Sequence, residues 1–168
     1  FNGSLFILPK DCRLTEFTLE GISNIQGDFQ CIDYFYVKEF VMPFIRVAGD
    51  MTIALNSGSV NTAAEIEFPK LQEIGGTLTL GTNRNANNIT FPLLKKILGS
   101  CSVTTYKLKN DIEFTNLESI GTDGADAQIK FEIEATNILC PKLKTINGKF
   151  DIATSSFMFD MEVDKVSY

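Results

Sequence analysis

The segment Phe68–Asn83 reads FPKLQEIGGTLTLGTN, and its pattern decides the fold. A Phe-Pro pair is followed by two apolar residues three positions apart, Leu71 and Ile74, then by Gly-Gly and an alternating Thr-Leu-Thr-Leu. Apolar residues at alternate positions are typical of a strand with one buried face. The segment therefore predicts a strand with its turn, and the rest of the chain indicates that it is one copy of a repeat.

The shared pattern is Phe-Pro-x-Leu-x-x-Ile-x-Gly-x-apolar-x-apolar, and it covers most of the chain. Imperfect copies begin at Gly21, Met42, Phe68, Phe91, Phe114 and Cys140. The glycines that anchor the copies are Gly27, Gly49, Gly76, Gly99 and Gly148, with Thr122 in the place of one. Their spacing of about 22 to 27 residues, with loops of varying length, is typical of a solenoid.

Each element of the repeat has a mechanical role. The glycine permits backbone conformations that a side chain forbids, and the strand with alternating apolar residues follows it. A second short strand precedes each Phe, as in EIEF, NITF, DIEF and NILC, and the Leu-x-x-Ile segment then turns the chain. One coil cannot bury its apolar edge, but stacked coils can. We therefore predict an all-β fold, a right-handed parallel β-helix or leucine-rich-repeat-like solenoid of about six to seven coils.

The length of 168 residues corresponds to about one domain. We predict a single solenoid domain over 1–168, with an N-terminal cap at 1–15, repeats at 16–153 and a C-terminal strand or cap at 154–168. The chain opens without an initiator Met or a charged region before an apolar one. We therefore expect a mature or trimmed fragment that has lost its targeting segment.

The charge pattern bears on possible partners. The formal net charge is −6, without a long run of one sign, whereas binding to phosphates or to an anionic membrane needs clustered Lys and Arg. The chain also has no apolar run of the length of a membrane span. We expect neither a nucleic-acid partner nor membrane insertion of this fragment.

The copies FPKLQEIGGTLTL and CPKLKTINGKFDI resemble the repeat of receptor L domains, the β-helical leucine-rich modules of receptor ectodomains. Similar repeats occur in fungal cell-wall proteins and in surface leucine-rich proteins of gut bacteria. The resemblance implies a β-helical fold and a broad strand face that binds another protein. The chain has no paired-cysteine-rich module and no Trp, so the resemblance favours a bacterial cell-surface member, extracellular or on the cell surface, over a hormone receptor.

The repeat also assigns the cysteines. Cys31, Cys101 and Cys140 take positions that other copies fill with Phe, Met, Leu, Ile or Val. We therefore expect free thiols in the core, with a Cys12–Cys31 disulfide as the main alternative. There is no CxxC motif and no His, so we predict no zinc site and no other metal.

A catalytic centre is not evident. The absence of His removes the commonest general base, and outward-facing acids lack adjacent basic residues. The loop GTDGADAQ, from Gly121 to Gln128, has two Asp, but it lacks the spaced carboxylates of a helix-loop calcium site. We read it mainly as an insertion, with a cation site as the alternative, and we predict a non-enzyme without a cofactor.

The outward positions of the strand after each glycine form the candidate binding face. We predict contacts at Thr52, Thr77, Thr79, Ser102, Thr104, Lys130 and Asp151. The expected function is a non-catalytic binding or adhesion module for a protein or a cell-surface glycan. The alternatives are a scaffold segment of a larger surface protein without its own ligand, a β-helix polysaccharide lyase or esterase, and a threonine array for a regular surface such as ice.

Overall fold

The protein is a parallel β-solenoid with three sheets around one apolar core. A computed structural model describes residues 1–8, 16–32, 39–55, 64–83, 86–106, 112–122, 127–133 and 138–154. These residues form nineteen strands and no helix, and all pairings between strands are parallel. The predicted fold class is confirmed.

The strands are numbered in chain order and follow one another around the three sheets. The main sheet contains seven strands: β1 (Leu5–Ile7), β4 (Phe29–Ile32), β7 (Met51–Leu55), β10 (Leu78–Asn83), β13 (Cys101–Tyr106), β16 (Ala127–Ile133) and β19 (Gly148–Thr154). The second sheet contains six: β2 (Glu16–Thr18), β5 (Glu39–Val41), β8 (Ala64–Glu67), β11 (Ala86–Thr90), β14 (Ile112–Glu113) and β17 (Ile138–Leu139). The third sheet also contains six: β3 (Asn24–Ile25), β6 (Arg46–Val47), β9 (Glu73–Ile74), β12 (Lys96–Ile97), β15 (Ser119–Ile120) and β18 (Thr145–Ile146).

The third sheet is the feature that differs most from the sequence prediction. The Leu-x-x-Ile segment was expected to turn the chain, but its last two residues form a short strand in each coil, such as Glu73–Ile74. Arg46 lies in one of these strands, and its Nε contacts Glu73 Oε1 of the next strand. A two-residue strand is too short to show a period of two, so the sequence pattern could not reveal it.

The core consists of columns of equivalent residues from successive coils. Phe68, Phe91 and Phe114 are fully buried and stack face to face, with ring centroids 5.0 and 5.1 Å apart. Cys140 continues this column, since β17 pairs in register with β14. Cys101 pairs with Leu78, as the repeat predicted. The column arrangement predicted for the core is confirmed.

The anchor glycines form a ladder along one corner of the solenoid. The amides of Gly27, Gly49, Gly76 and Gly99 donate to the carbonyl of the glycine one coil earlier, as from Gly49 to Gly27 at 3.0 Å and from Gly99 to Gly76 at 2.9 Å. A Cβ on Gly99 would lie 2.7 Å from the carbonyl carbon of Gly76. At these four positions glycine is therefore needed for close contact between coils. The unusual backbone conformation that we expected occurs at Gly148, whose φ is 146°.

One member of the ladder differs from the sequence alignment. Thr122 was assigned to the glycine position, but the register places Ala127 opposite Gly148. The chain therefore re-enters the main sheet only after the segment 123–126, which lies outside the described residues. Extra residues at a corner lengthen the loop without disturbing the strands on either side. The repeat pattern alone therefore did not show that Ala127, and not Thr122, takes the glycine position.

The two ends of the chain were predicted to act as caps, and those roles stay predictions. Residues 1–7 are in register with the next strand of the main sheet, since Leu5 pairs with Phe29 and the Gly27 amide donates to the carbonyl of Gly3 at 3.0 Å. They thus add a rung to the main sheet. The segments 9–15 and 155–168 lie outside the described residues.

Candidate binding face

The outward face of the main sheet carries the predicted binding residues. Inward and outward side chains alternate along each strand, so Leu78 and Leu80 are buried while Thr79 between them is half-buried. Register then places equivalent outward residues of successive strands side by side. The central column of this face contains Phe6, Gln30, Thr52, Thr79, Ser102, Lys130 and Asp151.

Five of the seven predicted residues belong to this single column. Thr52, Thr79 and Ser102 lie on adjacent strands, and parallel strands are about 4.8 Å apart. The face therefore presents a straight row of hydroxyl groups at a regular spacing. All three side chains are half-buried, so they stand close to the sheet surface instead of extending into solvent.

The remaining two predicted residues lie in flanking columns. Thr77 is half-buried and precedes β10, and its amide donates to Asp50 Oδ1 of the preceding coil at 2.7 Å. Thr104 pairs with Gly81 on the other side of the central column. The repeat puts Cys101 in the position of Leu78, and the register accordingly pairs Thr79 with Ser102.

The structure describes the backbones of Lys130 and Asp151 but not their side chains. Ser102 pairs with Lys130, and Lys130 pairs with Asp151. These two residues therefore extend the hydroxyl row across the last two strands of the main sheet. A row of neutral hydroxyl groups thus leads to adjacent residues of opposite charge.

A second outward column was missed by the sequence analysis. It contains Ile32, Ala54 and Gly81, which are paired in register and half-buried. These small or apolar residues form a low shelf beside the hydroxyl row. Phe6 and Leu8, which are 55% and 60% exposed, make the N-terminal end of the face apolar. Gly3 could have revealed this apolar end in the sequence. It occupies the anchor position of the repeat and so marks residues 1–7 as part of a further copy.

The anchor corner beside this face is held by side chains that bind the next coil. Ser4 Oγ accepts a hydrogen bond from the Asp28 amide, and Asp28 Oδ1 accepts one from the Asp50 amide, both at 2.9 Å. Asp50 Oδ1 accepts a hydrogen bond from the Thr77 amide in the same way. These carboxylates therefore act in the scaffold, which explains two of the acids that the sequence placed on the outward face.

The three described cysteines are buried in the core and take no part in this face. Cys31, Cys101 and Cys140 are buried and free, as expected. Burial raises the pKa of the Cys31 and Cys140 thiols to about 12, and burial, with Cys140 nearby, raises that of Cys101 further. The thiols are therefore protonated and unreactive at neutral pH. The alternative Cys12–Cys31 disulfide is wrong, since Cys31 is free, and Cys12 itself lies outside the described residues.

The described part of the chain shows neither a metal-binding cluster nor a membrane-spanning helix. Among the residues that the structure describes, no group of three or more Cys, Asp or Glu side chains could hold a metal ion. Most of the loop from Gly121 to Gln128, including both of its Asp, lies outside the described residues. No helix in the described part of the chain is long and apolar enough to cross a membrane.

Comparisons with known proteins identified no relative. The chain matches no protein-family model, no curated protein and no solved structure. The evidence for function is therefore the geometry of the solenoid and its faces.

Proposed function

We propose that this protein is a non-catalytic binding module that presents the outward face of its main sheet to a protein or glycan. The observation that carries the proposal is the in-register row of Thr52, Thr79 and Ser102, with the Ile32–Ala54–Gly81 shelf beside it. Hydroxyl groups donate and accept hydrogen bonds, and the shelf offers apolar contact. Together they suit a partner with alternating polar and apolar groups.

Rigidity supports this proposal. The backbone of each described coil is hydrogen-bonded to its neighbours, and the glycine ladder holds the adjacent corner at close contact. A rigid face loses little conformational entropy when it binds a partner. The half-buried side chains of the row also lose little freedom, because they stand close to the sheet.

The proposed location is extracellular or on the cell surface. This location and a bacterial leucine-rich, receptor-L-domain-like assignment rest on the resemblance of the repeat. The three free thiols fit an exterior location, because buried and protonated sulfur is protected from oxidants. No catalytic role is included in the proposal, and no cofactor is required for it.

The test is a binding screen with one variant of the proposed face. The purified protein is applied to an array of glycans and surface-protein ectodomains, and any hit is measured in solution. Replacing Thr79 and Ser102 by Tyr puts two bulky side chains on the row, so we expect at least about a tenfold loss of affinity. An unchanged affinity would exclude this face as the binding site.

The matched control is the same change on another sheet. Ser119 and Thr145 are also a half-buried pair on adjacent strands, but they lie in the third sheet. Ser119→Tyr/Thr145→Tyr should bind like the wild type if the main sheet is the site. Circular dichroism and thermal unfolding of both variants then separate lost contact from lost fold.

A scaffold role without a ligand is the second candidate. The observation that favours it is the regular stacking of coils, in which even the outward acids Asp28 and Asp50 serve contacts between coils. A well-folded sample that binds nothing on the array would support this candidate over the binding module.

A further inference from the structure

The charged residues of the solenoid are separated onto different sides, although no long run of one sign occurs in the sequence. Register places Glu16, Glu39 and Glu65 in one column of the second sheet and Glu67 and Glu113 in another, and these positions define its acidic face. The described strands of that sheet contain no Lys or Arg. The third sheet and the turn leading into it form a basic face, defined by Arg46, Lys70, Lys95, Lys96, Lys142 and Lys144.

Most of the positive charge on the basic face has no carboxylate partner among the described residues. Glu73 Oε1 lies 2.8 Å from Arg46 Nε, and Glu118 Oε2 lies 4.0 Å from Lys144 Nζ. The third acid on this side, Glu20, lies in the turn of the first coil, which carries no residue of the basic face. Lys142 donates to the neutral amide oxygen of Asn116. Within the described part of the chain, the ammonium groups of Lys70, Lys95 and Lys96 have no carboxylate within salt-bridge distance, and all three side chains are exposed. The face therefore has an excess of positive charge.

The two faces carry their charges in the same order along the stack. On five successive coils, the acidic face presents Glu16, then Glu39, then the pair Glu65 and Glu67, then the neutral Asn88 and Thr90, then Glu113. On five successive coils, the basic face presents Arg46, then Lys70, then the pair Lys95 and Lys96, then a rung without a basic residue, then Lys142 and Lys144.

The order of acidic residues in one molecule matches the order of basic residues in a second molecule under two conditions. The two solenoid axes are parallel, and one molecule is shifted by one coil along the axis. Both faces belong to the same coils, so their rungs have the same spacing of about 4.8 Å. The pair Lys95 and Lys96 then faces the pair Glu65 and Glu67. The rung that carries Glu118 faces the neutral rung of Asn88 and Thr90, so two acids do not meet there. Every charged rung of the acidic face faces a rung that carries a basic residue. Glu73, on the rung that faces Glu39, contacts Arg46 within its own molecule.

We infer that the partner of the basic face is the acidic face of a second copy of this chain. The contact joins two different surfaces, so it leaves one acidic and one basic face free and extends by addition of further copies. Exposed ion pairs are individually weak, and a row of them gives weak, salt-sensitive association. The net charge of −6 opposes approach at long range, but at physiological ionic strength this repulsion is screened beyond about 8 Å.

The association is tested by sedimentation velocity of the purified chain at increasing protein concentration. We expect oligomers in 0.15 M salt, with a dissociation constant on the order of 0.1–1 mM. We expect monomers in 1 M salt, where the screening length falls to about 3 Å. A protein that stays monomeric up to that concentration at both salt concentrations would overturn the inference.

Two charge-reversal variants identify the faces. Lys95→Glu/Lys96→Glu makes the basic face acidic, and Glu67→Lys/Glu113→Lys makes the acidic face basic. We expect each variant alone to associate at least about tenfold more weakly than the wild type. The two variants change the net charge in opposite directions, so an effect of net charge alone cannot weaken both.

An equimolar mixture of the two variants is the decisive sample. The unchanged acidic face of the first variant fits the unchanged basic face of the second, and their reversed faces also have opposite charges. We therefore expect mixing to restore association to near the wild-type level, which also shows that both variants fold. Failure to restore it, or wild-type association by either variant alone, would contradict the inference.

Discussion

At the scale of the residue, the anchor glycine is the most constrained position of each coil. A Cβ on Gly99 would meet only backbone atoms of the preceding coil, namely the carbonyl carbon and oxygen of Gly76 and the Thr77 amide nitrogen, at 2.7 to 2.8 Å. Backbone atoms cannot rotate away as a side chain can. The glycine was visible in the sequence as a repeated letter, but its physical reason lies in the distance between coils.

We predict that Gly99→Ala lowers the free energy of unfolding by about 2–3 kcal/mol, because the added methyl group forces the coils apart. Urea denaturation measures this loss. The control is Gly81→Ala in the same sheet, where the nearest atom to an added Cβ is the Ile53 carbonyl oxygen at 3.9 Å. A change within about 0.5 kcal/mol is expected there, and equal losses in both variants would contradict the close-contact explanation.

At the scale of the element, the second sheet and the turn after it place one large apolar residue per coil in the core. Phe68, Phe91 and Phe114 follow β8, β11 and β14 and stack with nearly parallel rings, at interplanar angles of 3° and 7°. The stack was predicted as a column from the repeat. The parallel ring geometry was not, since it depends on the distance and register of the strands that precede each ring.

We predict that Phe91→Ala costs about 3–5 kcal/mol of unfolding free energy, because it leaves a cavity between two rings that cannot close without moving whole coils. Thermal and urea unfolding provide the measurement. Leu93→Ala is the control, since this side chain lies two residues later on the same turn and is 42% exposed. It should lose less than about 1 kcal/mol. Similar losses for the two variants would show that the stack contributes little.

At the scale of the whole molecule, the solenoid is a series of interchangeable rungs. Glu67 and Thr90 occupy equivalent positions on neighbouring strands, and each is followed by Phe-Pro. In such a repeat the stability is close to a sum over coils and the contacts between neighbours. One coil can then be removed without changing the path of the others.

We predict that deletion of Phe68–Thr90, which removes 23 residues, leaves a folded β-solenoid with one coil fewer. The urea m-value should fall by roughly a seventh, in proportion to the surface buried on folding. Deletion of only Leu78–Thr90 is the control, because it removes β10 and β11 but keeps the third-sheet strands β9 and β12, so the chain cannot complete a coil between them. Far-ultraviolet circular dichroism should show a cooperative fold for the first deletion and its loss for the second.

The candidate face illustrates how far sequence reasoning reaches at this scale. Alternation within each strand predicted the outward positions, and by register five of the seven share one column. The pairing of Thr79 with Ser102 followed from the repeat, which puts Cys101 in the position of Leu78. The Ile32–Ala54–Gly81 shelf was missed because small residues give no strong signal of burial or exposure.

The sequence by itself determined the class of fold, the core columns and the state of the three described cysteines. These properties are local and repeat with the coil, so a period of apolar residues and glycines carries them. Only the tertiary structure decided the third sheet, the return of the chain to the main sheet at Ala127 and the separation of charge onto two faces. The physical reason is that each of these depends on the path of a complete coil, which brings Lys95 and Lys142 to one side although 46 residues lie between them.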